Sequence, residues 1–218
     1  VAPQRYDASD TTIAYLAHAE VTDLIGDLSG GVEHIISVGD VLTREGLSCQ
    51  AGWSLTVVYD HGAWDAAVPT SVPRLVTLYE GNVNTVGSFS IDGFVSASGN
   101  ARMGYLFFEG DRGTVGDFMR YRANGTGAFT TITNPFGQTN NIAVSYSPSA
   151  VAFLSQSARN PFVNASVDVG VIDAAAGLAP GFTQLDIVFG STGDGFAVTD
   201  FAVSVPLASI QVTVTPTQ

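Results

Sequence analysis

The densest group of side chains that could do chemistry is an acidic loop, Phe107-Phe-Glu-Gly-Asp-Arg-Gly-Thr-Val-Gly-Asp117, with Glu109, Asp111 and Asp117 set around Arg112. Carboxylate oxygens on a glycine-rich loop suit a hard cation, and calcium is the candidate cofactor. The full EF-hand spacing is missing. The more ordinary reading of the same residues is a turn in which Arg112 pairs with a neighbouring carboxylate, and both readings stay open here. A second acidic loop, 190–200, offers Asp194 and Asp200 with the same ambiguity. Trp64, with Asp60, His61 and Asp65 beside it in a polar loop, has the composition of a surface that stacks on sugar rings. A loop tryptophan folded back onto the core is the commoner use of that residue type. A sugar-binding groove would also need Tyr79, Tyr105 or Tyr121 exposed along one line. Trp53, at a strand start, reads as a core anchor.

Catalytic chemistry finds little support. His18, His34 and His61 are scattered without metal-type spacing, and neither HExxH nor GxSxG occurs. Cys49 is the single cysteine, which excludes an internal disulfide and a cysteine-based zinc cluster and reads best as a packing thiol. Nothing places two carboxylates at the separation that glycoside hydrolysis needs. The expectation is a protein that is not an enzyme.

The positioning elements are strands. Runs rich in β-branched and aromatic residues recur at 54–60, 74–80, 88–98, 101–110, 141–147, 164–173, 183–191, 196–207 and 209–216, with a further candidate at 30–43. Gly, Asn, Asp and Pro punctuate them at the spacing of a sandwich. Helix is confined to two candidate turns, 20–31 with Thr22 as cap and 173–178 with Asp173 as cap and Gly177 as stop. The expected fold is all-β: one antiparallel, jelly-roll-like β-sandwich over 19–208. It is preceded by an extended arm, 1–18, and followed by a C-terminal strand and Thr/Pro tail, 209–218.

Composition narrows the partners. The chain has 218 residues, with 8 basic against 20 acidic side chains and a net charge of −12. All the basic residues are arginines. Such a charge opposes phosphate backbones and anionic membrane surfaces, so neither nucleic acid nor membrane insertion is expected. Without lysine there is no Schiff-base chemistry and no lysine isopeptide cross-link. No apolar run is long enough to span a bilayer as a helix. The start at Val1 suggests a processed mature protein or an excised piece.

Taken in order, "AEVTDLIGDLSGGVEHIISVGDV", "QAGWSLTVVYD", "RLVTLYEG", "GYLFFEGDRGTVGD" and "STGDGFAVTDFAVSV" resemble a module of large secreted and cell-surface bacterial proteins. In that adhesin-like module a "DVTDLV" segment precedes "AGWSLVVVYE", a "VTVFDG" strand and an "EGDRG" loop. The similarity covers about residues 19–205. Its most specific pieces are Ala51-Gly-Trp-Ser-Leu55 and Glu109-Gly-Asp-Arg-Gly113; it departs around 121–160, where a Gly/Thr/Asn-rich stretch intervenes. The resemblance implies a secreted or surface β-sandwich with a structural or adhesive role and carries no catalytic residues. Expected partners are further copies of the chain or neighbouring surface domains, with the terminal arms adding as strands to an open sheet edge to build a non-covalent filament. A carbohydrate-binding module, calcium-assisted at the acidic loops, is the alternative.

Overall fold

The computed structural model describes residues 4–7, 15–26, 34–39, 53–59, 72–84, 86–108, 110, 113–134, 136–144, 146, 167–193 and 195–210. The elements are β1 (Gln4–Asp7), β2 (Tyr15–His18), α1 (Thr22–Ile25), β3 (Arg74–Asn84), β4 (Val86–Ile91), β5 (Phe94–Ser96), β6 (Ala101–Phe108), β7 (Phe118–Ala123), β8 (Thr130–Thr131), β9 (Val167–Ala174), β10 (Leu185–Gly190) and β11 (Ala197–Ile210). β1 and β2 form a small hairpin of their own.

The other strands make two antiparallel sheets ordered β4-β10-β7-β8 and β3-β11-β6-β9, with β5 pairing the far end of β11. The pairs are nested: β3 with β11, β4 with β10, β6 with β9 and β7 with β8. One long antiparallel ribbon, folded over so that its inner pairs join β10 to β7 and β11 to β6, generates both sheets. This is the jelly-roll arrangement, and the expected all-β sandwich is what the chain forms.

Strict alternation makes these strands two-sided. Met103, Tyr105 and Phe107 of β6, Phe201, Val203 and Val205 of β11, Leu185, Ile187 and Phe189 of β10, and Met119 and Tyr121 of β7 are all buried between the sheets. Each fully buried large side chain contributes roughly 1.5–3 kcal/mol relative to exposure. Aromatic contacts tie the layers together: Tyr79 stacks on Phe89 with centroids 4.1 Å apart, and Phe89 meets Phe201 at 5.0 Å. Pro206 is tolerated because β11 has by then parted from β6, whose last partner is Ser204, and is turning to pair with β5.

Several local expectations are corrected. The described residues of 54–60, 30–43 and 141–147 form no strand. Trp53 is 51% exposed rather than a core anchor. The described residues of 20–31, 20–26, contain α1, where Glu20 accepts from both the backbone N–H and the hydroxyl of Thr22, so Thr22 is capped instead of capping. Residues 173–178 continue β9 and then turn at Gly177, whose φ is +74°. The stretch from 121, set apart in the sequence as an intervening segment, supplies core: Tyr121, Ile132, Ile142, Ala143 and Val144 are buried. β7 carries a clear inside–outside alternation, Met119 and Tyr121 against Arg120 and Arg122, that would have identified it. At the other end, β11 runs on through Ser209 and Ile210, which pair with Val95 and Phe94. No described helix is long and apolar enough to cross a membrane.

Candidate functional site

Of the residues singled out in sequence, Glu109, Asp111, Trp64 and Asp65 lie outside the described residues, as do Arg112, Asp60, His61, Asp194 and Cys49. Asp117 is described and fully buried. Its Oδ2 accepts the Ala143 N–H at 2.9 Å, and its backbone carbonyl accepts from Ile142 at 3.3 Å. A second buried carboxylate, Asp168 on β9, accepts the N–H groups of Val144 at 2.9 Å and Tyr146 at 2.7 Å on one oxygen. Tyr146 returns its carbonyl to the Val169 N–H. Two aspartates, Asp117 just before β7 and Asp168 on β9, therefore fasten a segment that forms no strand, satisfying backbone donors that burial would otherwise leave without water.

Gly110 completes this arrangement, because it packs directly against Asp168 and Ala143. Burial, together with the Asp168 carboxylate and Tyr146, pushes the neighbouring Tyr105 hydroxyl up to about 12. Among the described residues no group of three or more His, Cys, Asp or Glu is placed to hold a metal ion. Asp168 was not a sequence candidate. The alternation of "VDVGVID" puts an aspartate on the inward face beside Gly170, and an inward acid in an apolar strand was the available signal.

The aromatic line expected of a sugar groove does not form from the tyrosines. Tyr105 and Tyr121 are buried, and Tyr79 is half-buried against Phe89. All three occupy inward positions of their strands, so the side chains fill the core instead of presenting a platform. The shallow groove of about 340 Å³ at the 123–130 and 177–182 turns is lined by Arg122, Asn124, glycines and Phe182.

The outward faces of the two sheets differ. On the β4-β10-β7 face Asp186 takes hydrogen bonds from Arg122 Nε at 2.8 Å, Ser90 Oγ at 2.8 Å and Gln184 Nε2 at 2.7 Å. Burial opposes its ionisation, but these bonds and the Arg122 charge together hold the carboxyl below its ordinary value. Arg122 also lies over Phe129 and Arg120 over Phe118, with ring-centroid distances of 4.4 and 4.1 Å. This face is polar and locked.

The β3-β11-β6-β9 face is apolar. The ladder sets Leu78, Ala202, Gly104 and Val171 in one row across four strands. Glu80, Asp200, Leu106 and Val169 form the next row on one side, and Val76, Ser204, Arg102 and Asp173 on the other. Val76, Leu78, Val169 and Val171 are 43%, 40%, 45% and 63% exposed. These exposed apolar positions lie on the two edge strands, β3 and β9, with Ala202 and Gly104 between them. The ends of the face are charged: Arg74 donates to Ser204 and to the Asn100 carbonyl, and Arg102 pairs with Asp173 at 2.9 Å. At the opposite end Glu80 meets His18 Nδ1 at 2.8 Å and Asp200 accepts from Ser54 at 3.0 Å. In sequence, "RLVTLYE" already carries apolar residues on both alternating faces, which was the signal for this band.

No family model and no curated protein matches the chain. Among solved structures it is similar to dimeric latent PorU from Porphyromonas gingivalis, at 15% identity and a TM-score of 0.33, over 61% of this chain and 12% of that one. It is also similar to the structure of infectious bursal disease virus Gx strain, at 13% identity and a TM-score of 0.27, over 62% of this chain and 30% of that one.

Proposed function

We propose that this chain is a non-enzymatic structural or adhesive module that works outside the cell, presenting a sheet face to protein partners. The observation that supports this most directly is the apolar band on the outer face of the β3-β11-β6-β9 sheet, where Val171 alone is 63% exposed. Val76 and Leu78 on β3 and Val169 and Val171 on β9 expose apolar side chains at both edges of this sheet, with Ala202 and Gly104 between them, and such a face favours a partner that covers it. The buried polar groups support the same reading. Asp117 and Asp168 are turned toward backbone amides, which is how a carboxylate fastens a loop. The net charge of −12 suits a module that stays dispersed in water and repels polyanions.

The test is surface labelling. Antibodies raised against the sandwich should stain intact source cells, and external protease should remove the signal. Staining that appears only after lysis overturns the extracellular reading. In a companion assay the immobilised protein should capture partner-bearing cells or a second protein layer, and Val171→Asp should abolish the capture. Equal capture by the variant overturns the role given to this face.

A further inference from the structure

We infer that the outer face of the β3-β11-β6-β9 sheet is a self-docking surface, which two copies of this chain use to stack face to face with their strands antiparallel. This rests on reading the chain as a structural module and names its partner. The argument comes from how charge is distributed along the face. Among the described residues, one end carries Arg74 and Arg102, with Asp173 paired to Arg102; the other carries Glu80 and Asp200, with His18 against Glu80 and Ser54 against Asp200. Between them lie Val76, Leu78, Ala202, Gly104, Val171 and Val169.

A two-fold axis lying in the interface and perpendicular to the strands turns one copy over and reverses its strand direction. Each arginine end then lies above the partner's acidic end, twice by symmetry, with the apolar band against itself. The other in-plane axis, along the strands, sets like charges over each other. Charge therefore selects one of the two stackings. It also selects the partner: a chain with an excess of 12 negative charges repels its own copies everywhere except where an exposed cationic end can meet an anionic one.

Four strands about 4.8 Å apart, with outward positions about 6.8 Å apart, give a face of roughly 400 Å². Two copies bury about 800 Å², half of a standard interface of about 1,600 Å². The contact is thus weak and suits a molecule displayed at high local concentration. Ser54 and His18 contact the acidic end, at Asp200 and Glu80, and Leu106 in that row is buried, while Leu78 and Val171 in the middle row are exposed.

Sedimentation equilibrium of the full chain from about 5 µM to 1 mM at about 0.15 M salt should show a monomer–dimer equilibrium. Val171→Asp and Leu78→Glu should each weaken it at least tenfold. Both positions are outward and exposed, and unchanged thermal unfolding will confirm that the variants fold. Arg74→Glu should weaken it similarly, and the double reversal Arg74→Glu/Glu80→Arg should restore it. A monomer throughout the range overturns the proposal, as does a dimer indifferent to Val171→Asp and Leu78→Glu. Failure of the double reversal to rescue overturns the antiparallel stacking. Surface labelling decides the broader module reading independently of these outcomes.

Discussion

A Cβ placed on Gly110 would stand 2.3 Å from Oδ2 of Asp168 and 2.8 Å from the carbonyl carbon of Ala143. The second residue of the Glu109-Gly-Asp-Arg-Gly113 motif therefore sets its backbone against a buried carboxylate, and that carboxylate is already committed to the amides of Val144 and Tyr146. The glycine is required by space.

Gly110→Ala should destabilise the fold by about 1–3 kcal/mol, because neither Asp168 nor Ala143 can retreat without loosening the 141–146 segment. Asp168→Ala removes the acceptor of two buried amides and should cost more, at about 1–3 kcal/mol for each donor left without a partner. Asp168→Asn keeps a carbonyl oxygen and should lose less than the alanine variant. Equilibrium denaturation by guanidinium checks all three. Equal stability of the alanine and asparagine variants would show that the oxygen is dispensable.

Asp186 is held below its ordinary carboxylate value in the folded chain, against burial, by Arg122, Ser90 and Gln184. The sign follows: its contribution is present above the ordinary value of the unfolded aspartate, about pH 4, and is lost as pH falls through the lower folded value. Asp186→Asn should lower stability at neutral pH and flatten the acid limb of a stability-against-pH curve. Arg122→Ala should cost about 1–3 kcal/mol at pH 7 by leaving the carboxylate with two neutral donors. Thermal unfolding between pH 2.5 and 7 reads both effects.

Tyr105 titrates in the opposite sense. Its folded value is raised to about 12, so its contribution is intact below the ordinary tyrosine value of 10 and is lost as pH rises toward 12. Ultraviolet absorbance should show a late ionisation, to which Tyr105 and the buried Tyr121 both contribute, only as the protein unfolds in alkali. Tyr105→Phe should reduce that late ionisation and move alkaline unfolding to higher pH. An early, fully reversible ionisation of all seven tyrosines would contradict the burial of this ring.

The strands were readable wherever alternation and turn residues agreed. β3, β4, β6, β9, β10 and β11 each overlap a run recognisable from its β-branched and aromatic residues. The failures have local causes. "SLTVVY" has strand composition, yet its described residues are not in a strand, because a ladder needs a partner edge that composition does not supply. β7 was hidden by its two arginines, which look like loop residues until the outward face of a sheet accommodates them over Phe118 and Phe129. The 141–144 segment is buried without pairing because Asp117 and Asp168 serve its amides, a solution that local propensity cannot announce.

Sequence alone determined the class: a lysine-free, acidic, β-rich chain whose alternating residues demand two packed faces. Tertiary structure decided everything that depends on distance between remote positions. Nested pairing brought Asp117 and Asp168, 51 residues apart in numbering, to one segment. The same ladder aligned Leu78, Ala202, Gly104 and Val171 into one outward row. A strand's period says which residues share a face; only the register between strands says which of those faces become a core and which a surface for another molecule.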